Sequence, residues 1–148
     1  MENFKPIAQQ DIEVVVTMME EFYGIDNYPI NIEKSKNLLK EFILNDMLGS
    51  GWLILHEGQT VGYVILTFVF SFEYGGRIVI LDELYIRKNE RGLGLGSKTL
   101  DFIHAQAKLL GIKIIYLEIE DHNEAARQLY LSKNYTLHHR GSMKLVVK

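Results

Sequence analysis

Arg91-Gly92-Leu93-Gly94-Leu95-Gly96-Ser97-Lys98 is the stretch whose reading decides the fold. Three glycines at alternate positions permit positive φ and close backbone approach, so consecutive N–H groups can converge on one anion. The segment follows the apolar runs Ile78-Val79-Ile80-Leu81 and Leu84-Tyr85-Ile86 and precedes the stripe Leu100, Ile103, Ala107, Leu110, which Gly111 closes. That spacing predicts a buried strand over residues 77–87, a loop over 87–96 and a helix over 97–110, with the loop at the positive end of the helix dipole. Arg87, Lys88, Arg91 and Lys98 against Glu90 give the segment +3 inside a chain of net −3. The reading is a phosphate cradle; a glycine-rich turn with solvated charges is the alternative.

Working outward, the spacing predicts an amphipathic helix over 7–22, with Asp11 near its start and Ile12, Val15, Val16, Met19 and Phe22 on one face. Asn31 is placed to cap a second helix with the stripe Ile32, Leu38, Leu39, Phe42, Ile43 and Met47, which Gly49-Ser50-Gly51 is expected to stop. Trp52 to His56, the turn Glu57-Gly58 and the run from Thr60 to Phe70 predict a β-hairpin. After the loop and its helix, the pattern predicts a buried strand over 113–119, a helix over 123–132 and a last alternating strand over 135–147. Hairpin-linked strands followed by alternating strands and helices predict one mixed α/β domain over residues 1–148.

Composition narrows the chemistry. With 148 residues, 47% of them hydrophobic and 24% charged, the chain fits a single soluble domain. The absence of cysteine removes thiol catalysis, disulfides and thiolate metal sites. The longest apolar stretch, from Val61 to Phe72, is shorter than the roughly 20 residues of a membrane helix, so no membrane partner is expected. The first residues lack a basic segment followed by an apolar one, which makes the cytoplasm the expected location. Net charge −3 argues against nucleic acid as a partner. The charge is uneven, however: residues 1–46 hold nine acidic and four basic residues, the remainder ten and twelve. No Gly-x-Ser-x-Gly elbow occurs, and His56, His104, His122 and the pair His138-His139 predict no metal site.

Two nucleotide folds fail on spacing. Counting from Gly94 and Gly96, the third glycine of a dinucleotide fingerprint would be Thr99, and Ser97 stands where a P-loop needs its second glycine. The residues instead resemble the GNAT N-acetyltransferases. Arg91-x-x-Gly94-x-Gly96, after a strand ending Asp82-Glu83-Leu84-Tyr85-Ile86, looks like that family's acyl-CoA pyrophosphate motif. Asn123-Glu124-Ala125-Ala126-Arg127-Gln128-Leu129-Tyr130, ending Lys133-Asn134-Tyr135, is similar to its second signature helix. The departure is Asn134-Tyr135 where the family shows Gly-Phe; Asn tolerates the left-handed position that ends a helix, so the turn is expected to survive.

The resemblance implies a GNAT-like fold, a central mostly antiparallel sheet splayed at the cofactor site and flanked by about four helices, and acetyl-CoA as co-substrate, with no metal. The backbone of Leu84, Tyr85 and Ile86 would pair with the pantetheine arm, and the N–H groups of Arg91, Gly92, Leu93, Gly94, Leu95, Gly96 and Ser97 would meet the pyrophosphate. It implies direct acetyl transfer to an amine. An alkylamine with pKa about 10.4 arrives charged, so a base must collect its proton. Glu83, a carboxylate on an apolar strand, is the expected base, directly or through water; a structural carboxylate paired with Arg77 is the alternative. His122 is a lesser candidate. Simple alternation puts Asp82 on the opposite face with Ile80 and Leu84. Tyr130 holds the family position whose hydroxyl protonates the departing sulfur, against core packing as the plain reading, and Asn123 the position that contacts the cofactor arm.

The resemblance places the acceptor against the first two helices, where the acidic excess of Glu20, Glu21, Asp26 and Glu33 suits a cationic amine. Glu21, Tyr23 and Tyr28 are the candidate substrate residues, with Phe22 as a further aromatic wall. The expected partner is a primary amine on a small molecule or peptide, and self-association as a homodimer stays open. The rival reading is a non-catalytic acyl-CoA-binding or regulatory module, against which stands the joint presence of Glu83, Asn123 and Tyr130. A nucleotide-binding protein is a third reading.

Overall fold

The computed structural model describes residues 3–148. They divide into two compact units, one running to Glu118 and one over Ile119–Lys148. In the first unit, a short strand β1 (Phe4–Pro6) leads through a 3-10 turn into helix α1 (Ile12–Ile25) and helix α2 (Ile32–Ile43). Strands β2 (Gly49–His56), β3 (Gln59–Ser71) and β4 (Gly76–Ile86) follow, then helix α3 (Leu95–Leu109) and strand β5 (Ile115–Tyr116). The five strands form one sheet in the order β1-β2-β3-β4-β5. All neighbours run antiparallel except β5, which is parallel to β4.

The helix starts follow local chemistry. The Asp11 carboxylate accepts the Ala8 N–H at 2.9 Å, which turns the chain before α1 begins one residue later. Asn31 caps α2 as expected, its Oδ1 accepting the Lys34 N–H at 3.0 Å. The helix ends earlier than the sequence pattern predicts: the Asn45 side chain takes the Met47 N–H, and Leu38 and Met47 are exposed. Gly49-Ser50-Gly51 opens β2 instead of merely stopping a helix.

The sheet separates two apolar layers. On one face Val15, Val16, Met18 and Met19 of α1 and Leu39 of α2 pack on Leu53, Tyr63, Ile65 and Tyr85. On the other, Leu95 of α3 packs with Ile54 and Val61, flanked by Phe4, Leu84 and Ile86. Phe102 of α3 stacks on Phe4 at 4.2 Å and meets Trp52 edge-on at 5.2 Å, which fixes α3 against β1 and β2.

Three expectations need correction. β1 is absent from the sequence reading, because three residues ending in Pro6 carry no period to detect. β5 covers two residues where a strand over 113–119 was expected. The alternating segment 135–147 forms no strand, and Leu137, Met143, Leu145 and Val147 are exposed. Alternation says which side chains would share a face; a strand also needs an edge to pair with, and no ladder engages this segment among the described residues.

In the second unit, α4 (Glu124–Ser132) starts under Asn123, whose Oδ1 accepts the Ala126 N–H at 3.1 Å. Asn134 takes the left-handed conformation at φ 70°, and the Tyr135 N–H closes on the Tyr130 carbonyl at 3.1 Å. The turn therefore survives the Asn-Tyr replacement, and the Tyr130 and Tyr135 rings meet edge-on at 5.4 Å. No helix among the described residues is long and apolar enough to cross a membrane.

Gly62 faces Ile86 across β3 and β4, where an added Cβ would run into the Tyr85 carbonyl oxygen. Gly62→Ala is expected to cost about 2 kcal/mol of stability, typical of overpacking, read as a lower denaturant midpoint at unchanged slope.

Candidate functional site

The site begins with a fault in the β3–β4 ladder. Ile65 pairs with Glu83 and Leu66 with Leu81, so Asp82 is an extra residue on β4. Residues opposite one another share a face, so Ile80 (opposite Thr67) and Glu83 (opposite Ile65) lie together, while Leu81 and Leu84 lie on the other side. The bulge thus corrects the expectation that Ile80 and Leu84 share a face: simple alternation fails at Asp82. Glu83 is turned toward α1, beside Tyr63 and Tyr85.

Glu83 is held by two phenols. Tyr63 Oη donates to Oε1 and Tyr23 Oη to Oε2, both at 2.6 Å. The expected structural partner, Arg77, is elsewhere: its guanidinium lies 4.6 Å over the Phe68 ring and reaches Met47 Sδ at 3.7 Å. Burial lifts the Glu83 carboxyl above the ordinary carboxylate range; the two tyrosine hydrogen bonds oppose that, and the Asp82 charge adds to it. The same arrangement pushes both phenols well above the ordinary tyrosine value, burial first and then Glu83. Both tyrosines therefore keep their protons and donate.

A second carboxylate lies beside this pair. Tyr85 Oη donates to Glu21 Oε2 at 3.2 Å, and Arg87 Nε lies 3.4 Å from the same oxygen. That contact is ionic rather than directed, because the buried Arg87 Nε–H has no aligned acceptor. Phe22 stacks with Tyr85 at 5.3 Å and meets Tyr23 at 6.1 Å, completing an aromatic wall. Of the predicted substrate residues, Tyr23 reaches Glu83 directly, while Glu21 is bonded to Tyr85, whose ring lies 6.1 Å from that of Tyr63. Tyr28 is joined to them through its backbone N–H on the Tyr23 carbonyl, and it is 53% exposed.

The anion loop is built as its glycines require. Gly92 and Gly94 have φ of 81° and 77°, and Gly94 is the N-cap of α3 with no side-chain cap. The opening amides of α3, from Leu95 to Ser97, have no intrahelical acceptor, the Lys98 N–H being the first to reach Gly94 O, at 3.1 Å. A Cβ at Gly92 or Gly94 would meet nothing within 4 Å, so the loop faces open space. Leu93 is exposed; Leu95 is buried and offers its backbone alone. The Arg91 amide approaches Lys88 O at 3.4 Å, and its Nε donates to Ile86 O at 2.9 Å.

Beyond Ile80, β4 has no strand partner on the β5 side among the described residues, since the parallel ladder covers only Val79 and Ile80. Residues 81–86, including Leu84, Tyr85 and Ile86, thus present an open strand edge leading to the glycine loop. These features fit an elongated molecule with an anionic end. Asn123 and Tyr130 lie in the second unit; the Asn123 side chain is occupied with capping α4, and burial pushes the Tyr130 phenol up to about 12.

Tyr63 was not singled out from sequence. The available signal was a phenol inside an otherwise apolar strand, whose hydroxyl needs a partner when buried. Removing that hydroxyl leaves Oε1 of a buried carboxylate without a donor. Tyr63→Phe is expected to raise the Glu83 pKa further, seen by carbon NMR of the carboxyl. A raised carboxylate binds more protons folded than unfolded, so stability falls as pH rises through the shifted range. The destabilisation of Tyr63→Phe should therefore be larger at neutral than at mildly acid pH.

The comparisons with known proteins agree with this fold. The model of the acetyltransferase (GNAT) family matches residues 15–134. The uncharacterized N-acetyltransferase YhfO of Bacillus subtilis (strain 168) is 26% identical over 134 residues, 90% of this chain and 89% of that one. Among solved structures, an integron cassette protein from the mobile metagenome of Cole Harbour Salt Marsh superposes with TM-score 0.88 at 26% identity, covering 99% of this chain and 91% of its own. A predicted acetyltransferase from Clostridium acetobutylicum, solved with acetyl-CoA, shares the fold with TM-score 0.82 at 17% identity, covering 98% of this chain and 96% of its own.

Proposed function

Because the chain belongs to the acetyltransferase (GNAT) family, we propose that it transfers an acetyl group from acetyl-CoA to a primary amine of a small molecule or peptide. The observation that carries this reading is the Glu83 carboxylate, desolvated on the α1 face of β4 and flanked by the open strand edge. Acetyl-CoA, when bound, supplies an activated thioester. The chain's part is to bind it, bring the amine to it and manage two protons.

The uncapped start of α3, with Lys88, Arg91 and Lys98 close in sequence, is the anion site. The backbone of Leu84, Tyr85 and Ile86 offers the extended groups with which a pantetheine amide would pair. On the opposite side of β4, Glu21 and Glu83 within an aromatic wall suit a cationic acceptor. Glu83, ionised above its raised pKa, collects the proton that the ammonium must lose. Tyr130 stays protonated well above neutral pH and supplies the proton that a departing thiolate needs. Neither nucleic acid nor a membrane has a part in this reading.

Acetyl-CoA and CoA are expected to raise the melting temperature, ATP and NAD to leave it unchanged; no shift with acetyl-CoA or CoA would remove the cofactor site. A mass-spectrometric screen of polyamines, amino acids, aminoglycosides and peptide N-termini should then show one acetyl increment. Tyr130→Phe is expected to lower turnover on that acceptor about a hundredfold, within the usual span for a lost acid, while the thermal shift by acetyl-CoA stays as in the wild type.

A further inference from the structure

Both oxygens of Glu83 already accept one hydrogen bond. Oε1 receives the Tyr63 proton and Oε2 the Tyr23 proton, each over 2.6 Å, and among the described residues no cation pairs with this carboxylate. The titratable groups that face it are Tyr23 from α1, Tyr63 from β3 and Asp82 on its own strand. Each oxygen can still accept a second hydrogen bond, so what matters is which of its two donors an ammonium coming from the surface can meet. The two donors differ in one respect that decides between them: Tyr63 has 0% of its surface exposed, whereas Tyr23 is half-buried at the end of α1, within the aromatic wall.

We propose that Tyr23 is a catalytic residue, the group that meets the acceptor ammonium and relays its proton to Glu83, with Tyr63 as the positioning residue that fixes the carboxylate from the buried side. The inference rests on the reading of Glu83 as the base. In the step, the ammonium gives one proton to Tyr23 Oη as Tyr23 gives its own to Glu83 Oε2. The amine becomes neutral, the phenol is regenerated, and the carboxylate becomes a carboxylic acid, so one positive and one negative charge disappear together. No phenolate forms at any point, which matters because burial and the Glu83 charge make a free Tyr23 phenolate costly. Tyr63 cannot replace Tyr23, since its hydroxyl reaches Glu83 but no surface.

The test uses wild type, Tyr23→Phe and Glu83→Gln with acetyl-CoA and two probes: ethylamine, cationic at neutral pH, and hydroxylamine, neutral there. Unchanged circular dichroism and an unchanged thermal shift by acetyl-CoA establish that the variants fold. For Tyr23→Phe, kcat/KM with ethylamine is expected to fall about a hundredfold, with the acid limb of its pH profile displaced upward toward the ionisation of ethylamine itself. With hydroxylamine, which needs no deprotonation before attack, the loss should be largely absent. An equal loss with both nucleophiles, or none with ethylamine, overturns the relay. Glu83→Gln separates this from the underlying reading: if it too is fully active with ethylamine, Glu83 is not the base; if it is impaired while Tyr23→Phe is not, the relay alone fails. A proton inventory on wild-type kcat/KM with ethylamine, in mixtures of light and heavy water, needs no variant. Two protons moving together give a curved dependence, and a straight line or no isotope effect overturns the proposal.

Discussion

One extra residue in β4 governs the arrangement around it. Asp82 has no opposite number on β3, and the fault it introduces turns Glu83 onto the face covered by α1 while Leu84 returns to the face covered by α3. Without it, the carboxylate would exchange sides with its neighbours, and Tyr23 and Tyr63 would have no acceptor. The same strand loses its parallel partner after Ile80. The ladder fault at Asp82 and the end of the parallel ladder at Ile80 thus lie two residues apart on one strand, and the glycine loop follows the strand's end.

How much of this could be read from the chain depends on the range of the interactions. The loop was legible because everything it needs is local: glycines at alternate positions, a helix stripe after them and cations around them. Glu83 was legible as a carboxylate stranded among apolar neighbours. The bulge was not, because it exists only in the register between β3 and β4, some 17 residues apart at that point. Tyr63 was hidden for a related reason, since an aromatic in an alternating strand reads as core until its cross-strand partner is known. Arg77, the alternative partner for Glu83 on proximity in sequence, settles instead on Phe68 and Met47. The segment 135–147 shows the opposite error: its alternation is real but was not enough to make a strand.

The electrostatics of the first unit are divided by the sheet. Positive charge gathers around the loop that starts α3, where unpaired helix amides add to it. On the α1 face, negative charge is screened unevenly. Glu21 has an arginine beside it, whereas Glu83 has only neutral donors. A carboxylate held by phenols rather than by a cation keeps much of its attraction for an incoming positive group, because a hydrogen bond stabilises the charge without cancelling it. That distinction, rather than the number of acidic residues on the first two helices, is what makes this spot suited to receive a cation.

The open edge of β4 has a consequence outside chemistry. Unsatisfied backbone groups along an extended strand are a template on which any other extended chain can add, and proteins commonly blunt such edges with charge, proline or a covering element. Residues 81–86 carry Asp82 and Glu83 at one end and, at the other, an Ile86 carbonyl already covered by Arg91 Nε; Leu84 between them has no such protection. A molecule lying along this edge would therefore also shield it from neighbouring chains. Colloidal behaviour and occupancy of the edge would then be linked, since the stretch without a strand beside it is where a bare chain is most exposed to its neighbours.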